Sequence, residues 1–220
     1  LNEVGTHCAL LTSRSFMILT KDFVFIHLPK TGGTFITRVL ERAAPQSWQA
    51  QYFEGHPTVQ DIPDSHRDLP VIGMIRNPWS FYVSWYSFLR EKVKDYEFFN
   101  AVSAGGTLGF RETIRNVFDS EPVKSSGWGG YTYLVDFTYR EKLHAVRYIH
   151  FESLREEFVA ALDDVTTVPD DLRNALLETP PINKSSHDDY STYYDQQLIE
   201  LVRERDRPTF EMFGYSDSLS

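Results

Sequence analysis

The chain has 220 residues, of which 41% are hydrophobic and 15% aromatic, and it carries a formal net charge of −9. This length and composition predict one globular domain rather than a disordered chain. The acidic balance, with no basic stripe, excludes the usual electrostatic form of nucleic-acid binding. No apolar run approaches the ~20 residues that a membrane helix needs, so no transmembrane segment is predicted.

The cysteine content bears on the compartment. The single cysteine, Cys8, excludes an intrachain disulfide and favours a reducing environment. We therefore expect a cytoplasmic protein, and the alternative is a Golgi-lumenal domain separated from its membrane anchor. Residues 1–16 are interpreted as an N-terminal extension and residues 17–220 as the folded domain.

Hydrophobic periodicity predicts strands that alternate with helices along the chain. The expected strands are 23–28, 71–76 and 145–151, and the expected helices are 34–43, 78–92, 153–163, 170–178 and 191–206. Segments 45–70 and 179–190 are interpreted as loops, and 96–140 as helical or irregular. This alternation predicts the α/β class, with a central parallel sheet flanked by helices.

The first motif lies between the first strand and the first helix, in the stretch His27-Leu28-Pro29-Lys30-Thr31-Gly32-Gly33-Thr34-Phe35-Ile36. Two glycines let the backbone adopt positive φ and approach a ligand closely. Such a turn presents N–H groups at a helix N-terminus, where the dipole is positive. Lys30 adds a charge and the two threonines add hydroxyls. The motif predicts a cradle for a phosphate or sulfate ester, with His27 as a structural residue.

The motif differs from the common nucleotide P-loop. That loop ends in Gly-Lys-Ser/Thr, whereas here the lysine precedes the glycines. No His, Cys, Asp or Glu residues show convincing metal-ligand spacing, so we predict no metal.

The second motif, Arg76-Asn77-Pro78-Trp79, follows another apolar run that reads as a buried strand. Asn77 is the predicted N-cap and Pro78 the predicted first helical residue. Arg76 is thereby placed at the carboxyl end of a strand, where open α/β sheets bind ligands. Ser84 comes eight residues later, about two turns into the helix.

In this order, the two motifs resemble those of the sulfotransferases that use 3′-phosphoadenosine 5′-phosphosulfate (PAPS), particularly the carbohydrate type (sulfotransferase family 2-like). The resemblance covers roughly residues 16–215. It implies a P-loop-like fold, PAPS as cofactor, adenosine 3′,5′-bisphosphate (PAP) as product, and transfer of the sulfuryl group to an acceptor hydroxyl. A third similar stretch, 148–158, is interpreted as scaffold.

The resemblance also assigns cofactor-binding residues. It places the 5′-phosphosulfate on Lys30, Thr31, Gly32, Gly33, Thr34 and Phe35. It places the 3′-phosphate on Arg76 and Ser84. A segment that closes over the cofactor is assigned to Asn183, Lys184 and Ser185.

Catalysis needs a stabilising cation and a base. Lys30 suits the first role, because it lies on the loop that holds the transferring group. For the base, similar enzymes offer either a histidine or a glutamate, here His56 or Glu54. His56 is the first choice because the ordinary pKa of an imidazole lies near neutrality.

The resemblance implies a hydroxyl-bearing acceptor of carbohydrate type. Several aromatic residues could stack on a sugar ring, although packing in the core is the simpler interpretation for most of them. They are Trp48, Tyr52, Trp128, Tyr131 and Tyr133. Two alternatives to a sulfotransferase stay open: an ATP-dependent small-molecule kinase, and a catalytically silent nucleotide-binding domain. The oligomeric state is not predicted.

Overall fold

The computed structural model describes residues 16–55, 57–92, 96–119, 129–182 and 187–219. These residues separate into two compact units. The sheet unit comprises the described residues of 16–76 and 137–182, and the helical unit those of 77–136 and 187–219. Within the described part of the chain, no helix is long and apolar enough to cross a membrane.

The sheet unit is built on five strands: β1 Phe16–Leu19, β2 Val24–His27, β3 Gln51–Glu54, β4 Val71–Ile75 and β5 Val146–His150. Their order is β3-β1-β2-β4-β5. β2, β4 and β5 pair in parallel, whereas β1 is antiparallel to both β2 and β3. Every residue of β2 and β4 is buried, as expected for parallel strands covered on both faces.

The helices, in chain order, are α1 Gly33–Ala43, α2 Pro78–Lys92, α3 Glu97–Ser103, α4 Phe110–Asp119, α5 Tyr131–Tyr139, α6 Leu154–Val165, α7 Asp170–Glu178, α8 Gln196–Arg205 and α9 Arg207–Phe213. The α/β class, with helices flanking a central sheet, is therefore confirmed. The three predicted strands are β2, β4 and β5, and their parallel pairing is also confirmed.

The central sheet is mixed rather than purely parallel, because β1 pairs antiparallel with both β2 and β3. β3 lies inside the segment 45–70 that was interpreted as a loop, and three of its four residues are exposed. An edge strand of this kind carries no buried apolar run, so hydrophobic periodicity does not reveal it. β1 is only four residues long, and its first residue, Phe16, falls inside the predicted N-terminal extension.

The core of the sheet unit lies between the sheet and α1, α6 and α7. Phe25 and Ile72 of the sheet, Ile36 of α1, Phe158 of α6 and Leu172 of α7 are all fully buried in one apolar cluster. The rings of Phe25 and Phe158 meet edge to face at 5.4 Å. This packing fixes α1 against β2, and with it the turn that joins them.

The helical unit holds a buried carboxylate. Asp206 accepts a 2.6 Å hydrogen bond from the Tyr82 hydroxyl and a 2.8 Å bond from the backbone N–H of Thr132. The same hydroxyl accepts a 2.8 Å bond from the N–H of Tyr131. Tyr82 and Asp206 therefore accept hydrogen bonds from the first N–H groups of α5, for which the helix itself provides no acceptor. Burial raises the pKa of Asp206 to about 6, although these hydrogen bonds act in the opposite direction.

We predict that Asp206→Asn changes how stability depends on pH. Because the pKa of Asp206 in the folded state exceeds 3.8, its contribution to stability is fully present below about pH 4 and is lost as the pH rises through about 6. Asparagine does not titrate, so the unfolding free energy of Asp206→Asn minus that of the wild type should rise by about 2 kcal/mol between pH 4.5 and 7. Urea unfolding between pH 4.5 and 7 measures this difference.

The matched control is Asp195→Asn in the same unit. Hydrogen bonding from the Leu198 N–H and from Arg115 lowers the pKa of Asp195, so its stabilisation is complete above about pH 4 and is lost only as the pH falls further. The difference in unfolding free energy between Asp195→Asn and the wild type should therefore stay constant from pH 5 to 7. If the free energy of unfolding changed with pH equally in the wild type and in Asp206→Asn, the prediction would be contradicted.

Candidate anion-binding site at the carboxyl edge of the sheet

The turn between β2 and α1 has a left-handed backbone at two positions. Lys30 has φ = 66° and Gly32 has φ = 93°. Thr31 lies between them, fully buried, and its hydroxyl donates a 2.7 Å hydrogen bond to the carbonyl of Leu28. The hydroxyl proton of Thr31 is therefore used within the turn itself.

Gly33, the first residue of α1, lies against the imidazole of His27. A Cβ built at Gly33 would lie 2.0 Å from the ring, which no real contact allows. The ring is itself held, because its Nδ1 donates to the carbonyl of Leu28 at 3.0 Å. The structure therefore requires glycine at position 33, and His27 is buried in the structural position that the sequence indicated.

The N-terminus of α1 has features that favour the binding of an anion. Among the described residues, no side chain caps it and its first turn carries no acidic residue. The N–H of Phe35 bonds to the carbonyl of Gly32 at 2.9 Å. The N–H groups of Gly33 and Thr34 belong to the first turn, where the helix offers no acceptor and the dipole is positive.

Arg76 follows β4 and reaches this turn. Its Nη1 donates a 2.9 Å hydrogen bond to the carbonyl of Lys30, and its side chain is buried. The guanidinium carbon lies 4.1 Å from the ring centroid of Phe151. The structure thus brings the two sequence motifs together, although 46 residues separate Lys30 from Arg76.

Phe151 was interpreted as scaffold, and the structure gives it a place in the site. It follows β5 directly, and its ring also lies 3.0 Å from a Cβ built at Gly32. One ring therefore touches both the turn and Arg76. Its position directly after a parallel strand was the available signal, because the carboxyl ends of such strands meet at one edge.

The helix after Arg76 begins as predicted. Asn77 caps α2, since its Oδ1 accepts a 2.9 Å bond from the N–H of Trp79, and Pro78 is the first helical residue. Ser84 lies on α2 and is buried. Arg76 belongs to the sheet unit and Ser84 to the helical unit, so their pairing on one phosphate stays a prediction.

Glu54 lies at the same edge of the sheet as the turn. It ends β3 and pairs with Phe16 of β1, one residue beyond the pair of Met17 with Ile26 of β2. β3 therefore runs in the same direction as β2, and two strand spacings put their ends about 10 Å apart. Glu54 is exposed. The other predicted base, His56, lies outside the described residues.

Some of the remaining predicted site residues lie outside the described residues, and the others can be located in the structure. Asn183, Lys184 and Ser185 lie outside the described residues, as does Trp128. Trp48 is buried and packs edge to face against Phe23 at 5.3 Å, and Tyr131 is also buried, so both are core residues. Tyr52 and Tyr133 are partly exposed. The described residues contain no group of three or more His, Cys, Asp or Glu side chains that could hold a metal ion.

Comparisons with known proteins give a likeness of fold. The sequence matches no protein-family model and no curated protein. The structure is similar to the crystal structure of mouse sulfotransferase SULT7A1 complexed with PAP, with a TM-score of 0.53 and 14% sequence identity. The match covers 86% of this chain and 83% of the mouse chain. The chain therefore shares the fold of that sulfotransferase.

We predict that Gly33→Ala destabilises the protein through His27. The added methyl group must displace a held, buried ring, and overpacking of this kind typically costs about 1–3 kcal/mol. In a His27→Ala background, the space is vacant and the same substitution should cost much less. Urea unfolding of the two single variants and the double variant gives the coupling energy.

Gly109→Ala is the control, because a Cβ at that position meets only the flexible end of Glu112. An equal effect of Gly33→Ala in the presence and absence of the His27 ring would show that the ring is not what excludes a side chain.

Proposed function

We propose that the chain transfers the sulfuryl group of PAPS to an acceptor hydroxyl on a carbohydrate or glycan-like molecule. The observation that carries the proposal is the meeting of the Lys30 turn, the open N-terminus of α1 and Arg76 at one edge of the sheet. The fold shared with a sulfotransferase that was crystallised with PAP supports it.

The cofactor has two anionic ends, and the proposal assigns a group of residues to each. The 5′-phosphosulfate lies on the turn, from Lys30 to Phe35, where backbone N–H groups and the helix dipole attract an anion. The 3′-phosphate lies on Arg76 and Ser84, because a guanidinium offers the fork of donors that a phosphate accepts. Asn183, Lys184 and Ser185 close over the bound nucleotide.

When bound, PAPS supplies a sulfuryl group, which passes to the acceptor oxygen as its bond to the 5′-phosphate breaks. Lys30 stabilises the negative charge on the transferring group and on the departing phosphate. The turn holds the donor in line with the acceptor, and such positioning supplies much of the rate in related phosphoryl transfers. A base takes the hydroxyl proton as the new bond forms.

The base is His56 or Glu54. The position of Glu54 at the carboxyl edge, about two strand spacings from the turn, favours this region of the chain for the role. His56 follows two residues later and keeps its priority because an imidazole needs no perturbation to act near neutral pH.

The assignment of the 3′-phosphate predicts a preference among nucleotides. The wild type should bind PAP much more tightly than AMP, and Arg76→Ala should remove most of the difference. A charge-assisted contact of this kind contributes roughly 1.5–3 kcal/mol, so the affinity for PAP should fall by about 10- to 150-fold while that for AMP barely changes. Isothermal titration calorimetry with both nucleotides measures this.

Arg147→Ala is the matched control, since it removes the same charge from an exposed position on β5 of the same unit. It should leave both affinities unchanged. If the wild type binds PAP and AMP equally well, the assignment of Arg76 to a 3′-phosphate fails.

The assignment of the base predicts which variant loses turnover. His56→Ala should lower kcat by ~10²–10⁴-fold, while the affinity for PAP barely changes. The acidic limb of the pH–rate profile should report a group in the histidine range and should disappear in the variant. The measurement follows transfer of radiolabelled sulfate from PAPS to a panel of glycans, with His144→Ala at an exposed turn as control.

A different result would identify the glutamate as the base. In that case Glu54→Gln abolishes turnover while His56→Ala keeps more than about a tenth of it, a loss of under 1.4 kcal/mol in the barrier. If the wild type binds PAP but transfers sulfate to none of the acceptors, a silent nucleotide-binding domain becomes the better description.

A further inference from the structure

Arg155, the second residue of α6, caps the C-terminus of α7. Its Nη1 donates to the carbonyls of Leu176 and Leu177, each at 2.8 Å, and its Nη2 donates to the carbonyl of Thr179. The last carbonyls of a helix have no donor within the helix, so a cation is well placed there. These bonds alone would make Arg155 a residue that joins α6 to α7.

The same guanidinium also contacts the anion-binding turn. It lies 4.6 Å from the ring centroid of Phe35, which is buried and is the third residue of α1. Phe35 directly follows Gly33 and Thr34, the first two residues of the helix. A shift of its ring therefore shifts the backbone of that first turn.

The start of α6 meets the turn at a second point. A Cβ built at Gly32 would lie 3.3 Å from Cδ2 of Leu154, the residue before Arg155. The turn is thus bounded by α6 on two sides, by Leu154 at Gly32 and by Arg155 at Phe35.

We infer that Arg155 is a positioning residue of the anion-binding turn: by lying on Phe35 while it is fixed to two carbonyls of α7 and to that of Thr179, it holds the first N–H groups of α1 toward the 5′-phosphosulfate. This inference rests on the proposed function. It assigns to Arg155 a different effect from that of Arg76, because a disturbed turn weakens every ligand that has a 5′-phosphate, with or without a 3′-phosphate.

The test is calorimetry with PAP and AMP on Arg155→Met and Arg155→Lys, well below the unfolding temperature. Met keeps the apolar stem but loses the guanidinium. Lys keeps the charge, but an ammonium cannot lie flat on a ring while it donates to three carbonyls. Both variants should weaken PAP and AMP by the same factor, at least about ten-fold, as removal of a supporting residue commonly does. The ratio of the two affinities should stay at its wild-type value.

Arg173→Met is the matched control. Arg173 lies on α7 and pairs with Asp163 of α6 at 2.6 Å, so it ties the same two helices with the same charge. Its loss should change either affinity by less than about two-fold, as expected for an exposed ion pair.

Two results would overturn the inference, and they are distinguishable. If the wild type binds PAP while the Arg155 variants bind it as Arg173→Met does, Arg155 only caps α7, and the proposed function stands. If the wild type does not bind PAP, the proposed function fails and this inference fails with it. Should Arg155→Met not fold, Arg155→Lys carries the same comparison.

Discussion

The contact between the His27 imidazole and the Cα of Gly33 is the constraint on which the site depends. Because the ring occupies the place of a side chain at position 33, α1 must begin with glycine directly above the end of β2. The preceding residues then turn through left-handed conformations at Lys30 and Gly32. The turn ends at the uncapped first N–H groups of α1, which is where a helix attracts an anion.

Two arginines contact this turn, and each one also lies on a phenylalanine ring. Arg76 stacks on Phe151 and donates to the carbonyl of Lys30, and Arg155 stacks on Phe35 and donates to carbonyls of α7. A carbonyl oxygen orients a guanidinium without neutralising its charge. These contacts orient both guanidinium groups next to the turn, although the chain as a whole carries a net charge of −9.

The local parts of this arrangement could be predicted from the sequence. Lys30, Gly32 and Gly33 lie within four consecutive residues, and β2 and β4 are continuous apolar runs. Both features can therefore be recognised without knowing the fold. The cap at Asn77 was likewise local. β3 could not be predicted, because an exposed edge strand depends on its pairing with β1 and not on a buried face.

The supporting residues were beyond the reach of the sequence for a different reason. Arg155 lies in a charged helix start, and nothing local indicates that its partners lie 21 to 24 residues further on. Asp206 lies in the run Arg203-Glu204-Arg205-Asp206-Arg207, which is typical of a solvated surface. Its hydrogen-bond donor Tyr82 is 124 residues away, so only the folded chain reveals that this carboxylate is buried.

The proposed site, with the turn at one phosphate and Arg76 at the other, is built for adenosine 3′,5′-bisphosphate and not for a metal-bound triphosphate. Thermal unfolding of the wild type with PAP, with ATP, and with ATP plus Mg²⁺ tests it directly. A ligand at 100 times its Kd stabilises the folded state by about 2.7 kcal/mol, enough to shift the midpoint by several degrees. The account predicts a clear upward shift with PAP, a smaller one with ATP and no further effect of Mg²⁺. A larger shift with ATP plus Mg²⁺ than with PAP would contradict it and favour a kinase.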